Sequence, residues 1–233
     1  MKNQYVGDIH DYRKYGLLRS IIHSTEFRVF VVWMLTHNDE RSDGKYISYL
    51  EHPSKWSNHD PDLFNLLKQA IATEKNRSVS LIENSALLQN TEFFSRHVPD
   101  ENLARNSWFS EALNIAQEFD LVFLDPDNGL EVKSTPFGKN GSSKFLFWRE
   151  VDELWIKGCS LLIYQHFIRE NRADFIQRKI SELKNATKCS SVVYFSTSHV
   201  VFLLALQPEH QKFLNLITAT VQARWKEQFS IGC

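Results

Sequence analysis

Leu121-Val122-Phe123-Leu124-Asp125-Pro126-Asp127-Asn128-Gly129-Leu130-Glu131 is the stretch whose reading decides the fold. Its first four residues are apolar and too short for a helix that must bury itself, so they read as an inner strand of a sheet covered on both faces. Pro126 cannot donate to a strand ladder and holds Asp125 in extended geometry, so the strand must stop there. Asp125, Asp127 and Asn128 are thereby presented beyond its carboxyl end, the edge at which open α/β sheets bind their ligands. An acidic turn of this kind can also satisfy its own backbone. Two acids and an amide at the end of a buried strand are costly unless used, which favours a functional reading.

Outward from this strand the chain alternates strand and helix patterns. Arg28 to Leu35 reads as a first buried strand, ending at Thr36-His37-Asn38-Asp39. Before it, apolar residues from Tyr12 to Ile22 recur at helical spacing, and Asp8 or Asp11 can cap that helix. Residues 45–78 form a polar insertion with one amphipathic helix over Asp60 to Thr73. Val79 to Asn84 reads as a short strand, and residues 86–97 and 107–119 as helices. After the central turn come a Gly/Ser/Lys/Pro-rich loop at 132–143, a helix carrying Phe145, Phe147, Val151, Leu154 and Trp155, and a second buried strand, Cys159 to Tyr164. A charged helix over Arg169 to Lys184 follows. Ser191 to Phe195 and Val200 to Leu206 are joined by four residues only, too few for a parallel crossover, which predicts an antiparallel hairpin. A last helix covers 209–228. The expectation is a single α/β domain over 1–233.

Composition narrows the function. The chain is 42% hydrophobic with a formal net charge of -1, so a nucleic-acid partner requires a local basic patch rather than an overall basic field. Cys159, Cys189 and Cys233 have no zinc-like spacing and make an odd count, fitting a reducing cytoplasm. No apolar run reaches the roughly 18 to 20 residues of a membrane span, and the first residues lack a signal core. Gly7-Asp8-Ile9-His10 looks like a metallophosphoesterase turn, but no buried strand precedes it and no partner blocks follow.

Strands alternating with helices and finished by an antiparallel hairpin resemble the class I S-adenosylmethionine-dependent methyltransferase fold, a Rossmann-like, mostly parallel sheet. Within that class, Asp125-Pro126-Asp127-Asn128 stands where amino-methyltransferases carry an Asp/Asn-Pro-Pro-aromatic motif. The segment Tyr5-Val6-Gly7-Asp8-Ile9-His10-Asp11-Tyr12-Arg13-Lys14-Tyr15 resembles the start of the RlmJ family of ribosomal RNA adenine-N6 methyltransferases, with Gly7, Asp11 and Lys14 at matching places. The resemblance implies S-adenosylmethionine as cofactor and RNA or DNA as partner. It implies catalytic roles for Asp125, Pro126, Asp127 and Asn128, and cofactor contacts from Gly7, Asp11, Lys14, Thr36, Asp43, Gly44 and Glu83.

A rival from the residues alone is a metal-dependent phosphodiesterase or nuclease. Asp125, Asp127 and Glu131 would hold Mg²⁺, and Lys133, Lys139 and Lys144 would meet phosphates. A third reading is an inactive methyltransferase fold serving as a binding module.

Overall fold

The computed structural model describes residues 1–39, 44–73 and 77–233. Its centre is a seven-stranded sheet in the order β2-β1-β3-β6-β8-β7-β9. The strands are β1 (Val29–Val32), β2 (Thr91–Phe94), β3 (Leu121–Leu124), β6 (Ser160–His166), β7 (Val193–Ser196), β8 (Val200–Ala205) and β9 (Ser230–Gly232). β2, β1, β3 and β6 run parallel. β8 is antiparallel to both β6 and β7, and β9 is antiparallel to β7. A separate two-stranded ribbon pairs β4 (Gly129–Leu130) with β5 (Phe145–Leu146).

The side-chain alternation of the inner strands makes two cores. Val29, Val31, Leu121, Phe123 and Leu162 face one side, and Phe30, Val32, Val122, Leu124 and Ile163 the other. Helices α1 (Ile9–Ser24), α3 (Pro61–Thr73) and α8 (Leu214–Trp225) cover the first side, contributing Leu17, Ile21, Leu63, Leu67, Val221 and Trp225. Helices α5 (Asn102–Ala116), α6 (Trp148–Ile156) and α7 (Arg172–Thr187) cover the second with Phe109, Ala112, Val151, Leu154, Phe175 and Ile180. Both faces are therefore closed by helices, which is why the inner strands read as unbroken apolar runs. Each fully buried aliphatic or Phe side chain contributes roughly 1.5–3 kcal/mol. Among the described residues no helix is long and apolar enough to cross a membrane.

Four expectations need correction. Val79 to Asn84 is not a strand: Ser80–Glu83 is the short helix α4, because Val79 and Ile82, three residues apart, bury one face of a turn that Ser78 Oγ opens by accepting from Ser80 N. The strand falls where a helix was expected, at Thr91–Phe94, whose β-branched and aromatic residues pair along β1 as the sheet edge. The next helix begins at Asn102 rather than 107, since the Glu101 carboxylate accepts from Leu103 N and Ala104 N. The insertion at 45–78 carries the four-residue helix α2 (Pro53–Trp56) as well as α3, and Leu63, Phe64 and Leu67 belong to the main core.

Candidate functional site

The carboxyl ends of β1, β3 and β6 open into a cavity of about 380 Å³. β3 ends at Leu124; Asp125 N still donates to Val32 O, after which Pro126 breaks the ladder and Gly129, at φ 109°, turns the chain away. A Cβ on Gly129 would collide with the Gln165 side chain, whose Oε1 accepts from Leu130 N at 2.7 Å. The turn is thus pinned to β6.

Across the cavity, Gly7 at φ 86° reverses the chain and Asp8 caps α1, its carboxylate accepting from His10 N at 2.8 Å and from Tyr46 N at 3.0 Å. Asp11 and Lys14 then fall three residues apart on one helix face. Lys14 Nζ donates to Asp11 Oδ1 at 2.7 Å and to Asp125 Oδ2 at 2.7 Å, and Tyr15 donates its hydroxyl to Asp11 Oδ2. All three charged groups are buried. Burial opposes the Lys14 charge, but Asp11 and Asp125 outweigh it and hold the ammonium above its ordinary pKa. Burial pushes Asp11 up to about 6 against the pull of Lys14. The second oxygen of Asp125 has no hydrogen-bond partner among the described residues.

A second charged layer lies under β1. Lys2 Nζ donates to Asp39 Oδ2 at 2.7 Å and stands 3.5 Å from Asp127 Oδ2. Thr36 donates its hydroxyl to Asp127 Oδ2 at 3.3 Å. The Met1 amino group donates to the carbonyls of Met34 and Asp125. Asp127 Oδ1 is buried without a partner among the described residues, as is His10 Nδ1. Burial, with Arg13 and His199 nearby, pushes His10 down to about 3, and burial also lowers His166. Met34, directly after β1, adopts φ 47°, a left-handed conformation that costs a side-chain-bearing residue of order 1–3 kcal/mol and tends to persist where function over-determines the backbone.

The turn residues Asp125, Pro126, Asp127 and Asn128 line the cavity together with Asp11, Lys14 and Gly44. Gly44, at φ 83°, packs so closely on Gln4 and Tyr5 that a Cβ would meet the Gln4 carbonyl. The remaining residues read as cofactor contacts lie elsewhere. Gly7 shapes the turn behind the cavity wall, its carbonyl accepting from Tyr49. Thr36 stands behind Asp127. Glu83 is not at a strand end: its carboxylate accepts from Trp33 Nε1 at 2.8 Å and from Ser95, apart from the cavity. Asp43 lies outside the described residues. Sequence reasoning missed Lys2, Asp8, His10, Tyr46 and Tyr164 as lining groups. Asp8 had a visible signal as a helix cap, and His10 followed from it by spacing.

Among the described residues no group of three or more His, Cys, Asp or Glu side chains is arranged to hold a metal ion. Glu131 does not converge with Asp125 and Asp127, because its Oε2 accepts from Trp148 N at the start of α6. Lys144 lines the cavity and Lys133 a neighbouring cleft. Comparison of the chain with profiles of known protein families and with curated proteins finds no match.

Proposed function

We propose that this protein is an S-adenosylmethionine-dependent amino-methyltransferase acting on nucleic acid or another amine-bearing substrate. The observation that carries the reading is the Asp125 carboxylate, anchored by one oxygen on Lys14 at the carboxyl end of β3, directly before the Pro126 turn. Support also comes from the antiparallel β7–β8 hairpin that follows the parallel strands, the feature by which the chain resembles class I methyltransferases, here with β9 added beyond β7.

The cavity is lined by four acids, Asp8, Asp11, Asp125 and Asp127, beside Lys2, Lys14 and Lys144, so a cationic methyl donor would have carboxylates to meet. Asp127 adds a buried carboxylate oxygen that no group among the described residues satisfies; such an atom is expensive unless a ligand meets it. Asp11, Asp127 and the backbone at Gly44 are the groups that would hold the donor. When bound, S-adenosylmethionine supplies an electrophilic methyl group that an amine takes directly, with no covalent intermediate on the enzyme.

The protein's own contribution is alignment. An amine with two N–H groups requires two acceptors, and the free oxygen of Asp125 and the carbonyl of Pro126 are adjacent acceptors at one strand end. Holding both N–H groups leaves the nitrogen lone pair directed away from them, and such orientation supplies much of the rate in group transfer. Lys14 acts through Asp125 by fixing its rotamer. The test is transfer of a labelled methyl group from S-adenosylmethionine to total RNA, DNA, nucleosides and peptides. Asp125→Ala should reduce incorporation by at least about a hundredfold with unchanged circular dichroism; wild-type incorporation in Asp125→Ala would remove the reading.

A further inference from the structure

Beside the cavity runs a larger cleft, of about 1190 Å³, between the β4–β5 ribbon and helices α6 and α7. The two share Asn128, His166 and Phe167, so they open into one another at the acidic turn. The cleft walls carry an unusual pairing of flat rings and cations. Arg149 lies 3.5 Å over the Phe137 ring, Phe137 meets Phe147 edge-on at 5.0 Å, and Arg172 sits over Phe167 at 5.5 Å. Trp148 faces Lys179 across 5.8 Å.

The charge of this region departs from that of the chain. Residues 132–149 contain Lys133, Lys139, Lys144 and Arg149 and no acid, in a protein of formal net charge -1. The acids of the cleft are already engaged: Glu131 accepts from Trp148 N, and Glu182 pairs with Arg178 and Lys179. Lys133, Lys139 and Lys144 make no ion pair among the described residues. This is the local basic patch that a nucleic-acid role demands.

We infer that this cleft binds a single-stranded polynucleotide, whose bases stack on Phe137, Phe167 and Trp148 while Lys133 and Arg149 in the cleft, and the exposed Lys139 on the loop beside it, meet its phosphates. Aromatic walls reward exposed base faces, which a duplex hides in its own stack, and the cations track a backbone without reading sequence. The inference deepens the methyl-transfer reading by naming its substrate, and rests on it only for what happens at Asp125.

The test is fluorescence anisotropy with fluorescein-labelled, mixed-sequence RNA and DNA single strands of roughly 12 nucleotides. Saturable binding is expected at about 50 mM salt, weakening steeply by 200 mM. Lys133→Glu with Lys139→Glu, both exposed and safe for folding, should weaken it at least about tenfold, and so should Phe137→Ala with Arg149→Ala. Lys212→Glu with Lys226→Glu, on the opposite side of the sheet, should change affinity less than about twofold. No binding, equal binding of the matched duplex, competition by a free mononucleotide at equal concentration, or equal loss in the remote lysine variant each overturns the inference. A parallel titration with S-adenosylmethionine separates the two claims: strand binding without donor binding upholds the cleft and removes methyl transfer, and the reverse removes the cleft alone.

Discussion

Lys14 Nζ lies 2.7 Å from Asp125 Oδ2 although 111 residues separate the two in the chain, and both are all but sealed from solvent. One ammonium joins the first helix to the turn after the central strand, and Asp11 completes the triad from the helix side.

Removing that ammonium leaves two carboxylates facing each other in a dry site. Lys14→Met should therefore lower stability by about 3–5 kcal/mol, read as a shift in urea midpoint. Adding Asp125→Asn to it should recover part of the loss, a coupling of roughly 0.5–3 kcal/mol in the double-mutant cycle. Strict additivity of the two changes contradicts a direct pair.

Arg105 and Glu150 make a second buried pair, two parallel N–H···O bonds of 2.8 Å, and Glu150 also accepts from Phe147 N at the start of α6. Glu150→Gln strips the charge from under a buried guanidinium. The expected cost is about 3–5 kcal/mol, measurable by thermal or chemical unfolding; a change within 0.5 kcal/mol, the range of ordinary surface substitutions, refutes it.

Gly16 is the point at which α1 and α8 touch, and a Cβ there falls inside the Trp225 ring. Gly16→Ala improves helix propensity by up to about 1 kcal/mol. The clash with a rigid, buried indole dominates, so the net effect should be destabilisation of about 1–3 kcal/mol. A stabilised variant would show that the helices part freely.

The acid limb of stability carries a signature of His10. Its pKa is pushed down to about 3 by burial and then by neighbouring cations, against an ordinary value near 6.5. The unfolded chain therefore binds a proton that the folded chain refuses, so the contribution is intact above about pH 6.5 and is lost as pH falls toward 3. His10→Gln cannot take up that proton in either state. Its melting temperature should fall less steeply than the wild type's between pH 6.5 and 4; parallel curves contradict the assignment.

The α/β class and the buried strands β1, β3 and β6 were legible because a strand covered on both faces must be apolar at every position, a pattern little else produces over so short a run. Asp125, Pro126 and Asp127 were legible because proline fixes where the ladder stops. The swap of strand and helix between residues 79 and 97 was not, since Val79 with Leu81 fits a strand face and Val79 with Ile82 a helical turn in so short a window, and only pairing along β1 decides for Thr91–Phe94. The lining roles of His10, Tyr46 and Lys2 were also hidden, because they depend on how the first helix docks over the sheet edge. Glu83 carries the opposite lesson: an acid at a supposed strand end turned out to anchor Trp33.

The central claim is that the cavity at Asp125 receives a cationic methyl donor, and calorimetric titration of the purified protein with S-adenosylmethionine tests it most directly. Saturable binding at one site is predicted, weakened at least about tenfold by Asp127→Asn, which removes the charge of the carboxylate whose Oδ1 has no partner among the described residues, at constant shape, and corresponds to about 1.4 kcal/mol. No heat of binding in the wild type, or equal binding by Asp127→Asn, contradicts it.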